Sequence, residues 1–114
     1  MNNSEFISII EEVVSESAIE DTIDNLESPP GRNPDESLVR QSNWFKSLSD
    51  SDKNMVKSIV SSSVNESVFG FLCVLDGVRS ISKSGETNEL ELTHKRTLLN
   101  DPEKECLHDL YKNV

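Results

Sequence analysis

The sequence predicts a mainly helical α+β domain with one long central helix, a C-terminal β-hairpin and a short closing helix. Three observations predict this fold class. Apolar residues recur at helical spacing over most of the chain, one stretch near residue 90 alternates apolar and polar residues, and Pro- or Gly-rich turns separate the segments. The 114 residues have the usual size of one domain. We expect a single domain, 1–114, with an acidic helical segment (1–31), a core (34–82) and a hairpin plus C-terminal helix (88–114).

The first predicted elements are two helices, over residues 3–16 and 18–27. In the first, apolar side chains fill one half of the helical wheel and Glu and Ser the other half. A later apolar stripe points the opposite way and consists of Ile19, Ile23 and Leu26. Ser17 and Glu20 have the spacing of a capping box, which predicts a bend and a new helix start. A single helix buried on both sides is the alternative.

A proline-rich turn at residues 28–31 ends this segment, and a helix is predicted over residues 34–47. Asn33 is the predicted N-cap because Pro34 suits the first helical position. The side chains expected to be buried are those of Leu38, Phe45 and Leu48. We expect Trp44, the single tryptophan, at a corner of the core.

The central helix is predicted over residues 50–80, with its start favoured by Ser49 and the acidic residues after it. Gly77 offers an earlier end, because glycine inside a helix costs about 1 kcal/mol relative to alanine. The densest apolar stretch of the chain is its second half, residues 64–81. We expect this half to be covered on nearly every side, with Cys73 buried as a small apolar residue.

Charged residues interrupt the same apolar stretch, so no membrane span is expected there; they are Glu66, Asp76 and Arg79. After a turn-rich segment at residues 83–88, the alternation over residues 89–94 predicts a strand, and residues 96–99 can return as its partner. A last helix is expected to start at residues 100–103. Its apolar face would consist of Cys106, Leu107, Leu110 and Tyr111.

No residue pattern in the sequence predicts catalysis. There is no Gly-rich phosphate loop, no nucleophile elbow and no pair of Cys or His residues at zinc-ligand spacing. We therefore expect a protein that is not an enzyme, without catalytic, metal-binding or cofactor-binding residues. A metal site built from Cys106, His108 and His94 remains the alternative.

The charge distribution is strongly asymmetric. The net charge is −10, and the first 31 residues hold eight of the 21 acidic residues and no Lys or Arg. Such a surface disfavours nucleic acid and anionic membranes as partners, and it steers a basic partner to fast association. A merely solvated acidic face is the alternative. The candidate partner-binding residues are Glu11, Glu12, Glu16, Glu20, Asp21, Asp24 and Glu27.

The C-terminal half carries a resemblance. The phrase SVFGFLCVLDGVRSI, followed by a short alternating strand and by LLNDPEKECLHDLY, resembles a group of small bacterial proteins over residues 68–111. In size, acidity and lack of a catalytic motif, the chain is similar to immunity proteins of toxin–immunity pairs, including those of contact-dependent growth inhibition. That resemblance implies a protein that binds a cognate toxin, often a basic nuclease, and occludes its active site.

The leading functional hypothesis is therefore an immunity protein that neutralises a basic protein toxin through its acidic surface. Because the N-terminus has neither a positive n-region nor a long apolar h-region, a cytoplasmic location is expected. The hairpin face with Glu89 and Glu91 is a second candidate surface. The alternative function is that of a self-associating structural or regulatory helical protein, and the oligomeric state is left open.

Overall fold

The structure is a computed structural model that describes residues 1–81 and 90–111. Its helices are α1 (Asn3–Ile10), α2 (Ser17–Glu27), α3 (Glu36–Ser47), α4 (Asp50–Leu75) and α5 (Leu107–Leu110), and a π-helical segment, Glu11–Glu16, lies between α1 and α2. Strands β1 (Thr93–His94) and β2 (Thr97–Leu98) form one antiparallel hairpin. The predicted fold class, mainly helical α+β with a long central helix, is confirmed.

The N-terminal helix is continuous from Asn3 to Glu27. The side chain of Asn2 caps its start by accepting a hydrogen bond from the Glu5 amide at 2.8 Å. The prediction of two helices with a bend near Ser17 is wrong. The alternative of a single helix is confirmed, because the helix continues without a break. Ser17 does not cap a new helix, because its hydroxyl donates to the Glu12 carbonyl, five residues back, at 3.3 Å.

Helix α3 begins two residues later than predicted. Its N-cap is Asp35 rather than Asn33, and the Asp35 carboxylate accepts from both the amide and the hydroxyl of Ser37. Phe45 is buried as predicted. Trp44 is 55% exposed, so its predicted place in the core is wrong. One residue of a helix is about 100° of rotation, so the neighbour of a buried residue can face solvent.

Helix α4 begins as predicted, with the Ser49 hydroxyl accepting from the Asp52 amide at 3.1 Å. It ends at Leu75 rather than near residue 80. The turn that follows uses Gly77 at φ +76°, a left-handed conformation that glycine adopts without a steric cost. The Val78 amide then donates to the Cys73 carbonyl at 3.0 Å, which closes the helix end. The alternative end at Gly77 is confirmed.

The second half of α4 is less covered than predicted. Leu72 and Cys73 are buried, but Phe71 is 62% exposed, and Val78, which lies after the helix end, is 60% exposed. The helix ends before Asp76 and Arg79, two of the charges on which the exclusion of a membrane span depended. By length and composition α4 could cross a membrane, and 17% of its most apolar window is buried. The core helix of a soluble protein passes the same test.

The C-terminal elements are shorter than predicted. Each strand has two residues, and the turn between them places Lys95 and Arg96 at positive φ, as a two-residue type I′ turn requires. The last helix starts at Leu107, and its predicted start at residues 100–103 is wrong. Asn100 instead ties the chain together, because its side-chain amide donates to the carbonyls of Leu75 and Leu90. The predicted turn at 83–88, and residue 89, lie outside the described residues.

The core lies where α1, α4 and α5 meet, and its central side chains are those of Ile7, Leu72, Leu107 and Tyr111. A polar chain crosses it. The Ser15 hydroxyl lies 2.5 Å from the Tyr111 hydroxyl, which donates to the side-chain carbonyl of Asn65 at 2.9 Å. Ser15 is fully buried, although the wheel places it on the polar face. The three hydrogen-bonding groups join the π-helical segment, α4 and the C-terminal residues of the described chain.

Candidate functional site

The seven predicted partner-binding carboxylates all lie on the N-terminal helix or its π-helical segment. Glu11 is half-buried, and the other six are exposed. Among the described residues, Glu27 pairs with Lys57 of α4, with Oε1 3.5 Å from Nζ. Glu16, Glu20 and Asp24 follow one another at four-residue spacing, so they form a row along one flank of the helix. We call these three residues the acidic row.

An apolar groove of about 270 Å³ lies between the N-terminal helix and α4. Its lining residues are Phe6, Ile10, Val14, Ser67, Val68, Phe71, Leu72 and Leu75. The π-helical segment accommodates one extra residue. When that residue is discounted, at roughly 100° per residue Phe6 and Ile10 lie on the opposite flank of the helix from the acidic row. The groove and the acidic row are therefore two separate surfaces.

Asp76 links the end of α4 to α5. Its side chain is 2% exposed, its Oδ1 accepts from the Leu107 amide at 3.0 Å, and its Oδ2 accepts from the His108 amide at 2.8 Å. The same Oδ2 lies 2.6 Å from His108 Nδ1. The other ring nitrogen of His108 lies 3.3 Å from an oxygen of Asp109. These contacts hold the imidazole between two carboxylates.

Cys106 completes this cluster, which we call the Asp–Cys–His cluster (Asp76, Cys106, His108). One potential ligand atom from each side chain lies within 4.8 Å of the others. Burial raises the pKa of the Cys106 thiol, and the carboxylates of Asp76 and Asp109 raise it further. A thiol with a raised pKa is mostly protonated at neutral pH, and the protonated thiol is a poor nucleophile.

The sequence alternative of a metal site from Cys106, His108 and His94 is wrong in its third member. His94 lies in β1 and does not belong to the cluster. Asp76 takes that place, although it is 30 residues from Cys106 in the sequence. One signal could have indicated it: a carboxylate directly after a helix C-terminus opposes the helix dipole and calls for a compensating partner.

The second candidate surface, the hairpin face, is described only in part. Glu91 is exposed, and Glu89 lies outside the described residues. No protein-family model, curated protein or solved structure matches this chain.

Proposed function

We propose that this protein is a cytoplasmic immunity protein that binds a basic protein toxin, such as a nuclease domain, and occludes its active site. The observation that carries the proposal is the acidic row. It is exposed, and it lies in the first 31 residues, which contain no Lys or Arg. Active sites that act on nucleic acid are rich in Lys and Arg, since they bind a polyanion. A row of carboxylates on successive helical turns presents negative charge to such a site, as nucleic acid does.

The position of the row suits fast association. The side chains project from a regular helix, so they are held at fixed spacing before binding. Clustered surface carboxylates raise the association rate of a basic partner, and salt screens this effect. We therefore expect the partner to associate rapidly at low ionic strength and more slowly as salt is added.

The test uses the product of the reading frame immediately upstream, co-expressed with this chain. Glu16→Lys, Glu20→Lys and Asp24→Lys together should lower the association rate by about 10- to 1,000-fold and flatten its salt dependence. Association is measured by surface plasmon resonance at several salt concentrations.

The matched control is Glu91→Lys, Glu103→Lys and Glu105→Lys, which changes the net charge equally at three exposed positions. It should keep most of the association rate. Loss of binding in the control alone would move the interface to the C-terminal face, and the absence of any complex with wild type would contradict the immunity function.

Self-association is the second candidate function, and the groove is the observation that favours it. Phe71 lines the groove and is 62% exposed. Among the described residues that line the groove, Ser67 is the single polar one. Two copies that each carry a charge of −10 repel one another least where their surfaces are neutral. Sedimentation velocity should then show a dimer that Phe71→Asp removes and Met55→Asp, at an exposed position of the other half of α4, does not.

A further inference from the structure

The Asp–Cys–His cluster brings together three different donor types from two distant parts of the chain. Asp76 offers a carboxylate oxygen, Cys106 a sulfur and His108 an imidazole nitrogen, all within 4.8 Å of one another. Zn²⁺ binds such ligands at about 2.0–2.3 Å in a tetrahedron, so the donor atoms of a loaded site lie roughly 3–4 Å apart. Movements of about 1 Å would bring these three atoms to that spacing.

The surroundings already orient the donors. Two backbone amides of α5 fix the Asp76 carboxylate, and Cys106 and His108 are separated by one residue at the start of α5. Asp109 Oδ1 lies 3.3 Å from His108 Nε2, which leaves Nδ1 to face Asp76. A carboxylate on the outer nitrogen of a ligating histidine is the usual outer-shell arrangement in zinc proteins, because it fixes the ring and raises its basicity.

The local charge favours a cation. Two carboxylates flank the His108 ring, with Asp76 Oδ2 2.6 Å from Nδ1 and Asp109 Oδ1 3.3 Å from Nε2. A divalent ion would offset these negative charges and stabilise the Cys106 thiolate. Thiolate and imidazole ligands select zinc over magnesium and calcium, which prefer oxygen.

We propose that Asp76, Cys106 and His108 bind one Zn²⁺ ion, with water in the fourth position. Binding converts the Cys106 thiol to a zinc-bound thiolate and releases one proton to solvent. The ion replaces the hydrogen bond between Asp76 and His108 Nδ1 and clamps α5 to the end of α4. This site is independent of the acidic row and of any toxin partner.

The test uses the full chain, freed of metal with a chelator and titrated with Co²⁺ as a spectroscopic substitute for zinc. We expect one Co²⁺ per chain, with a thiolate-to-cobalt charge-transfer band and the intense visible bands of a tetrahedral site. Added Zn²⁺ should abolish both. Zn²⁺ alone should release about one proton near neutral pH and raise the thermal unfolding midpoint.

Cys106→Ser should remove the charge-transfer band, and His108→Gln should weaken Zn²⁺ binding by at least about tenfold. Cys73→Ser and His94→Gln are the controls, and both should retain the band and the affinity. Asp76→Asn is avoided as the main test because Asp76 also fixes α5. No charge-transfer band in wild type, or a band that survives Cys106→Ser, would overturn the proposal. Circular dichroism of each variant confirms that it is folded.

Discussion

The hydroxyls of Ser15 and Tyr111 form a hydrogen-bonded pair inside the core. Ser15 stands among glutamates in the sequence, and the wheel gives no reason to bury it. It is buried because Tyr111, 96 residues later, offers a hydrogen bond. Polar groups in a core are tolerated when they are paired, and the pairing is a long-range fact that local periodicity does not contain.

Replacing Tyr111 with Phe should lower the free energy of unfolding by about 1–3 kcal/mol, because the Ser15 hydroxyl and the Asn65 carbonyl lose a buried partner. Urea unfolding followed by circular dichroism measures the change. In a double-mutant cycle with Ser15→Ala, the loss in the double variant should be smaller than the sum of the single losses by at least about 0.5 kcal/mol. Strict additivity would mean that the two hydroxyls do not interact.

The two cysteine thiols should lower the free energy of unfolding at alkaline pH. Burial raises the pKa of the Cys73 thiol, and burial with nearby carboxylates raises that of Cys106. The folded chain therefore keeps its thiols neutral at pH values where the unfolded chain already ionises them. Their contribution to stability is present below the unfolded pKa, about 8.5, and is lost as the pH rises through the folded values.

Metal-free wild type should accordingly lose more free energy of unfolding between pH 8 and about pH 10 than the Cys73→Ser, Cys106→Ser double variant does. Urea titrations at several pH values measure both slopes. Equal slopes in the two proteins would contradict the role of the thiols.

At the scale of elements, the π-helical segment explains the apparent phase reversal in the N-terminal helix. A π turn accommodates one extra residue in an α-helix without rotating the segments on either side. When one residue between Glu11 and Glu16 is discounted, Ile7, Ser15 and Leu26 fall within about 20° of one another on the wheel. The same three residues are the buried ones of this helix. A break and an inserted residue both shift the phase, so the sequence pattern alone does not distinguish a bend from a π turn.

Deletion of Val13, which is exposed within the π turn, should therefore be tolerated. The shortened segment becomes a regular α-helix, and the faces before and after it keep their packing. We expect a loss of about 1 kcal/mol, the size of an average point mutation. Deletion of Ile59, equally exposed but inside the regular helix α4, should destabilise the fold by several times more, because every residue on one side rotates by about 100°. Equal losses for the two deletions, measured by urea unfolding, would contradict this account.

The other elements show which helix boundaries can be predicted from short-range sequence signals. The Ser49 cap and the end at Gly77 follow from short-range chemistry and were predictable. The closing helix was predicted, but its start was not, because the Asn100 side chain donates to the carbonyls of Leu75 and Leu90 instead of capping a helix. The acidic residues could be located on the helix from the sequence, but the Asp–Cys–His cluster depends on how the chain returns to α4.

At the scale of the molecule, the structure is extended for its length. The radius of gyration is 17.8 Å, against about 13 Å for a compact domain of this length. Such a shape leaves a small core, and it explains why Phe71 and Val78 face solvent although the sequence predicts them to be covered. Periodicity identifies apolar faces, but it does not say whether the chain has enough elements to cover them.

The charge of the acidic segment should itself reduce stability. The lysine variant at Glu16, Glu20 and Asp24 removes like-charge repulsion, so its free energy of unfolding should exceed that of wild type at low ionic strength by about 0.5–1 kcal/mol. The difference should disappear at high salt because of screening. A variant that is more stable and yet fails to bind would show that the row is retained for binding rather than folding. No gain in stability would favour a merely solvated face.

The exposure of Trp44 has a practical consequence for spectroscopy. Because the single indole of the chain already faces water on α3, its emission should resemble that of the free amino acid and should change little when the protein unfolds. Intrinsic fluorescence is then a poor monitor of folding. It is for the same reason a sensitive, label-free reporter of any molecule that covers this side of the protein, since such a molecule would shift the emission to shorter wavelengths.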